Sequence, residues 1–260
     1  MFEAQRDACE AAALAGGRVL LPFFRKLDAA AITEKTKNDY VSDADRASEA
    51  AIQAELESRF PQYAFVGEES GATGDDERRW IVDPLDGTLN FVQGFPHWCV
   101  SVALWDAEGP VAGCVLDPLR EDLFLATRHG GTTWNGRPVR VSNHHALEGA
   151  FLATGFAFQL GPRFPRFHRA LGNVFPKAKG IRRAGSAALD LAHTAAGIYD
   201  GFFEMGLKVW DLAAGALLVQ EAGGRLTDWE GTEAWSSNGD VVAGNPRVQA
   251  DLLDALRRSA

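Results

Sequence analysis

Apolar residues recur at helical spacing from the start of the chain. Ala8, Ala12, Val19, Leu20, Phe23 and Phe24 share one broad face and predict a helix from Phe2 to about Lys26. The polar stretch from Ile32 to Tyr40 breaks that pattern and reads as a mobile loop or a weak hairpin. Ser42 and Asp45 are spaced as in a capping box, with Asp in place of the usual Glu. They introduce a helix to about Arg59, with Ile52, Leu56 and Phe60 as its buried stripe and Pro61 after its end. Short apolar runs follow. Tyr63 to Val66 and Trp80 to Val82 read as strands, with the polar, Gly/Asp-rich stretch Gly71 to Arg79 as a surface loop between them. Trp98 to Trp105 and Val111 to Leu116 form a hairpin, Leu123 to Ala126 and Thr132 to Trp134 continue it, and Asn135-Gly136 turns the chain into Val139 to Val141.

A second half begins near Ala150, with a strand to Thr154, a loop at Gly161 to Pro165 and a helix over Arg166 to Val174. A helical run from Ala187 to Ala196 leads to a strand over Gly201 to Met205. An alanine-rich helix then starts at Trp210-Asp211 and stops at Gly223-Gly224. Arg225 to Asp228 and Val241 to Ala243 read as final strands, and Pro246 opens a terminal helix at its favoured first position. Helices and strands alternate irregularly around a meander, which argues for α+β rather than a purely parallel doubly wound sheet. The expectation is one domain over residues 1–260, in two structural halves near 1–148 and 149–260.

Composition narrows the function. With 26 basic and 35 acidic residues the net charge is −9, so no general attraction to polyanions is expected, and nucleic acid is not an expected partner. No run approaches the roughly 20 apolar residues that cross a bilayer. Glu3, Asp7 and Glu10 stand where a signal peptide would be positive. Cys9, Cys99 and Cys114 lack paired spacing and read as buried, reduced thiols. A cytoplasmic protein away from membranes is the expectation.

The candidate chemistry centres on Trp80 to Pro96, where a short strand delivers Asp83 and Asp86 ahead of Gly87 and Thr88. Backbone N–H groups at the start of the turn from Thr88 to Phe91 attract an anion, and the paired acids would repel it unless a cation lies between. Carboxylate oxygens favour Mg²⁺ over zinc or copper. Alone, the two acids could simply cap a turn, as Asp does well. They have company in Gly67-Glu68-Glu69-Ser70 upstream and in Trp210 to Gly215 with Glu221 to Gly224 downstream.

In those three segments, GEES, DPLDGTLNF and WDLAAG…EAGG, the chain resembles the inositol monophosphatase family of Mg²⁺-dependent, lithium-sensitive phosphatases. The resemblance implies the layered αβαβα sugar-phosphatase fold and a homodimer. It implies metal ligation by Glu68, Asp83, Asp86, Asp211 and the Leu85 carbonyl, with Glu69 in a supporting role. Thr88 and Asp45 would orient the attacking water, Asp43 being the competing assignment for the latter. The amides of Gly87 and Thr88 would hold phosphate oxygens. Gly185, Ser186 and Ala187 would line the polyol pocket, together with Asp86 and Asp211, and Glu204 would hold a substrate hydroxyl. Inositol monophosphate is the first substrate implied. Histidinol phosphate, fructose 1,6-bisphosphate, NADP and 3′-phosphoadenosine phosphates are the alternatives within the family. A regulatory binding protein that kept the fold is an alternative of another class.

Overall fold

The computed structural model describes residues 2–26, 32–36, 39–156 and 161–258, with the backbone alone over 32–36 and 39–42. In chain order the elements begin with α1 (Glu3–Leu20), β1 (Ile32–Thr36), β2 (Asp39–Ser42), α2 (Asp43–Arg59), β3 (Ala64–Gly67) and β4 (Gly71–Thr73). Next come β5 (Arg79–Asp86), α3 (Thr88–Val92), β6 (Cys99–Asp106), β7 (Gly109–Asp117), β8 (Asp122–Thr127), β9 (Gly131–Trp134) and β10 (Arg137–Val139). The second half holds β11 (Phe151–Thr154), α4 (Phe164–Val174), β12 (Gly180–Arg182), α5 (Ala187–Ala195) and β13 (Gly201–Glu204). It closes with α6 (Val209–Glu221), β14 (Arg225–Thr227), α7 (Trp235–Asn238), β15 (Val241–Gly244) and α8 (Pro246–Arg257).

One sheet has eight strands in the order β10-β9-β8-β7-β6-β5-β3-β4, antiparallel except that β3 and β5 run parallel. The other has five, β12-β11-β13-β15-β14, with β11 parallel to both its neighbours. Helices α1 and α2 cover the outer face of the large sheet, α5 and α6 lie between the sheets, and α4 and α8 cover the outside of the small one. These are the layers of the αβαβα arrangement.

Side-chain parity along the strands shows how the layers are built. Val100, Val102 and Leu104 of β6 pack with α1 and α2, whereas Cys99 and Ala103 join the core around α5 and α6. In β5, Trp80 and Val82 face the outer helices and Ile81 faces inward. In β13, Phe202 faces the middle layer and Phe203 the outer one. Asp83 continues the parity of Ile81 within β5, and Glu204 that of Phe202 at the C-terminal end of β13, so both point to the middle layer.

Several expectations need correction. Helix α1 ends at Leu20, and residues 21–26 continue as turns rather than helix. Part of the stretch read as a loop from Gly71 to Arg79 is the edge strand β4; all three residues are exposed, so no apolar period marks it. Strand β5 runs through Asp86 rather than stopping at Val82. Helix α4 starts at Phe164, two residues earlier than read, with Pro165 in its first turn. The Ile32 to Tyr40 stretch contains the hairpin β1–β2, though residues 37 and 38 and the Ser42 side chain of the capping box lie outside what is described.

Candidate metal and substrate site

The two motif acids owe their arrangement to a bulge. Residues three apart in a regular strand face opposite sides. Here Asp83 pairs with Ser101 and Asp86 with Cys99, so three steps along β5 match two along β6. The extra residue brings both acids to the middle-layer side. Pro84, which has no N–H to lose, lies within the bulge, and its carbonyl accepts a hydrogen bond from Ser48 Oγ at 3.1 Å. Helix α6 supplies the third acid. Asp211 is not the N-cap but the third residue of the helix, and its Oδ2 accepts from Lys208 N at 2.7 Å.

One carboxylate oxygen from each of Asp83, Asp86 and Asp211 lies within 4.8 Å of the others. Backbone donors fix all three groups. Asp83 Oδ1 accepts from Leu85 N at 2.9 Å. Asp86 Oδ2 accepts from Ser186 Oγ at 2.6 Å and from Ala188 N at 2.7 Å, at the start of α5. Burial pushes the Asp83 carboxyl well up, and the charges of Glu68, Asp86 and Asp211 push it further. Asp211 rises for the same reasons, burial first and then Asp86, while for Asp86 the donors from Ser186 and α5 work against burial. Glu68 is thus within electrostatic reach of Asp83 and Asp211, although it stands outside the tight cluster of three. Mutual repulsion among fixed, hard oxygen donors is the condition a divalent cation relieves, and the donor set fits one. A thiol does stand nearby. Cys99 Sγ is 3.8 Å from Asp86 Oδ2, but burial and the Asp86 charge raise its pKa well up, so it remains a protonated donor and not a soft ligand.

Asp45 is 1% exposed and accepts from Thr88 Oγ1 at 3.4 Å, while Leu85 O lies 3.0 Å from the same hydroxyl. Asp43 sits at the surface, paired with Arg46, and makes no such contact. The Glu68-Glu69 turn is held by a residue the sequence reading missed. Glu49 of α2, 3% exposed, accepts from Glu69 N at 2.9 Å and Ser70 N at 2.8 Å. A Cβ at Gly67 would lie 2.4 Å from its carboxylate, which is why glycine precedes the two glutamates. The signal was present: Asp45, Ser48 and Glu49 stand on the same helix face as Ile52 and Leu56, polar groups in an apolar stripe.

A cavity of about 120 Å³ is lined by Asp86 and Asp211, by the Gly185-Ser186-Ala187 turn and by Glu204. Glu204 is 7% exposed, and its carboxyl is pushed up to about 8, chiefly by burial, with the Arg183 charge opposing. Gly155 makes room for it, since a Cβ there would lie 2.0 Å from Glu204 Oε1. Arg183 and Asp190 also line the cavity; from sequence the Arg182-Arg183 pair reads equally as a phosphate clamp or a solvated edge, and Asp190 only as a helical residue.

Over residues 3–260 the chain matches the inositol monophosphatase family. It belongs to that family. The protein named Nus factor SuhB from Xylella fastidiosa is 42% identical over 251 residues, covering 94% of this chain and 91% of that one. The Escherichia coli K12 protein of the same name is 41% identical, over 95% of this chain and 96% of its own. Among solved structures, extragenic suppressor protein suhB from Bartonella henselae superposes with a TM-score of 0.94 at 40% identity, covering 99% of this chain and 100% of that one. Inositol monophosphatase from Anabaena sp. PCC 7120 does so at 0.90 and 35%, covering 99% and 96%. The family is a metal-dependent phosphatase family, and the acidic cluster of this member joins two of its three motif segments, with Glu68 of the third within electrostatic reach. Among the described residues no helix is long and apolar enough to cross a membrane.

Proposed function

We propose that the protein is a Mg²⁺-dependent phosphomonoesterase acting on a polyol or sugar phosphate, with inositol 1-phosphate as its first substrate. The observation supporting this reading is that Asp86 and Asp211 share one cavity with Glu204 and the Gly185-Ser186-Ala187 turn. Acids suited to a metal thereby adjoin an acid suited to a hydroxyl. Asp83, Asp86 and Asp211, with Glu68 and the Leu85 carbonyl, would hold the cation, with Glu69 supporting through the turn that Glu49 fixes. Magnesium so held supplies positive charge against the phosphate and acidity to a nucleophilic water. Thr88 orients that water by accepting its proton's hydrogen bond while donating its own hydroxyl to Asp45. The amides of Gly87 and Thr88 donate to phosphate oxygens, and Glu204 accepts a hydroxyl of the departing alcohol. The decisive experiment measures phosphate release from inositol 1-phosphate, histidinol phosphate, fructose 1,6-bisphosphate and NADP, with and without Mg²⁺. Preference for a nucleotide or histidinol ester would replace the polyol assignment.

A second reading draws on the name Nus factor carried by relatives 41–42% identical. A role exercised through partners would persist in a variant that no longer hydrolyses phosphate esters. Complementation of a strain lacking the protein by Asp211→Asn tests it, and failure of that variant would tie the role to hydrolysis.

A further inference from the structure

Asp190 lies on α5, one helical turn beyond Ser186, so the turn that lines the cavity and this carboxylate occupy one helix face. It is 1% exposed, and its Oδ1 is buried with no hydrogen-bond partner among the described residues. The nearest candidate, His97 Nε2, is 3.8 Å away and also unpartnered. Burial lowers that imidazole to about 4, so it carries no charge to offset the acid. A buried carboxyl oxygen without a donor is costly unless a ligand supplies one. Asp190 lines the same cavity as Glu204. The Glu204 charge raises the proton affinity of Asp190, and the Arg183 charge opposes the rise at both acids.

We infer that Asp190 is a specificity-determining residue that accepts a second hydroxyl of the leaving alcohol beside the one held by Glu204, so that the pocket selects polyhydroxylated alcohols. This rests on the polyol reading proposed above. Ionised or protonated, each carboxyl keeps an acceptor oxygen, so two neutral hydroxyl donors satisfy Glu204 and Asp190 together without adding a charge to the cavity. A site built around buried acceptors discriminates strongly against ligands that leave them unpaired.

The test is kcat/KM for wild type, D190N and D190A on inositol 1-phosphate, p-nitrophenyl phosphate and O-phosphoethanolamine in saturating Mg²⁺, with thermal melts of each protein. The expected result is a ratio of inositol phosphate to p-nitrophenyl phosphate activity that falls by about tenfold to a hundredfold in D190A. D190N keeps an acceptor and should fall between. Equal losses on both esters, with a lowered melting temperature, would make Asp190 a structural partner of His97 and overturn the inference. A larger loss on phosphoethanolamine than on inositol phosphate would also overturn it, in favour of an ammonium site. No turnover of inositol phosphate by a wild type active on other esters would remove the polyol reading itself, and this inference with it.

Discussion

Glu204 and Asp211 show what single carboxylates do in a buried, acid-rich site. The folded pKa of Glu204, about 8, lies above the 4.5 of an ordinary glutamate, so the native state binds this proton more tightly than the unfolded chain. Its contribution to stability is therefore full below about pH 4.5 and is lost as pH rises through about 8. In chelator, the melting temperature of Glu204→Gln relative to wild type should climb across that window, and a constant difference would contradict the assignment. Asp211→Asn can keep the bond to Lys208 N through its amide oxygen while losing the charge. Melts should then show metal-free stability unchanged or higher, since one repelling charge is gone, while turnover falls steeply. The motif acids were legible because glycine, proline and threonine frame them. Glu49 and Asp190 were not, because an acid in a helix is ordinary until the face it occupies is known to be buried.

Helix α6 makes the case at the level of elements. Leu212 to Val219 are buried without interruption, as befits a helix packed between two sheets. Its small residues answer to close approach: a Cβ on Gly113 of β7 would lie 3.1 Å from Ala214 Cα, and one on Gly215 only 2.6 Å from Leu191 Cβ. Gly215→Ala should cost about 1–3 kcal/mol by overpacking. Urea titration should record this as a lower midpoint at unchanged slope, and an unshifted midpoint would mean that α5 yields freely. The supporting element on the other side is α2, whose Glu49 fixes the Glu68-Glu69 turn. Glu49→Gln should weaken Mg²⁺ binding by about tenfold to a hundredfold, read by calorimetry, as loss of groups that orient ligands usually does. Long periodic helices and the β6–β7 hairpin were readable from sequence. The three-residue strands β4 and β12 and the four-residue helix α7 were not, because elements so short carry no period and exist through their neighbours.

Across the whole molecule, the site draws on parts far apart in the chain: β5 of the large sheet supplies Asp83 and Asp86, and α6 between the sheets supplies Asp211. No local pattern could show the bulge that turns Asp83 and Asp86 to one side, since it exists only in the register with β6. A cation that bridges these elements in the folded state alone must stabilise the fold, by about 2.7 kcal/mol at a hundredfold excess over its Kd. Mg²⁺ should accordingly raise the melting temperature of wild type and leave a variant lacking Asp83 and Asp211 unmoved. The central claim is that these carboxylates serve hydrolysis only with a cation between them. Its most direct test is phosphate release from inositol 1-phosphate by exhaustively chelated protein, with Mg²⁺ titrated back. The expected result is no turnover above background until Mg²⁺ is restored, followed by saturable recovery that Asp211→Asn does not share. Undiminished hydrolysis in excess chelator would contradict it.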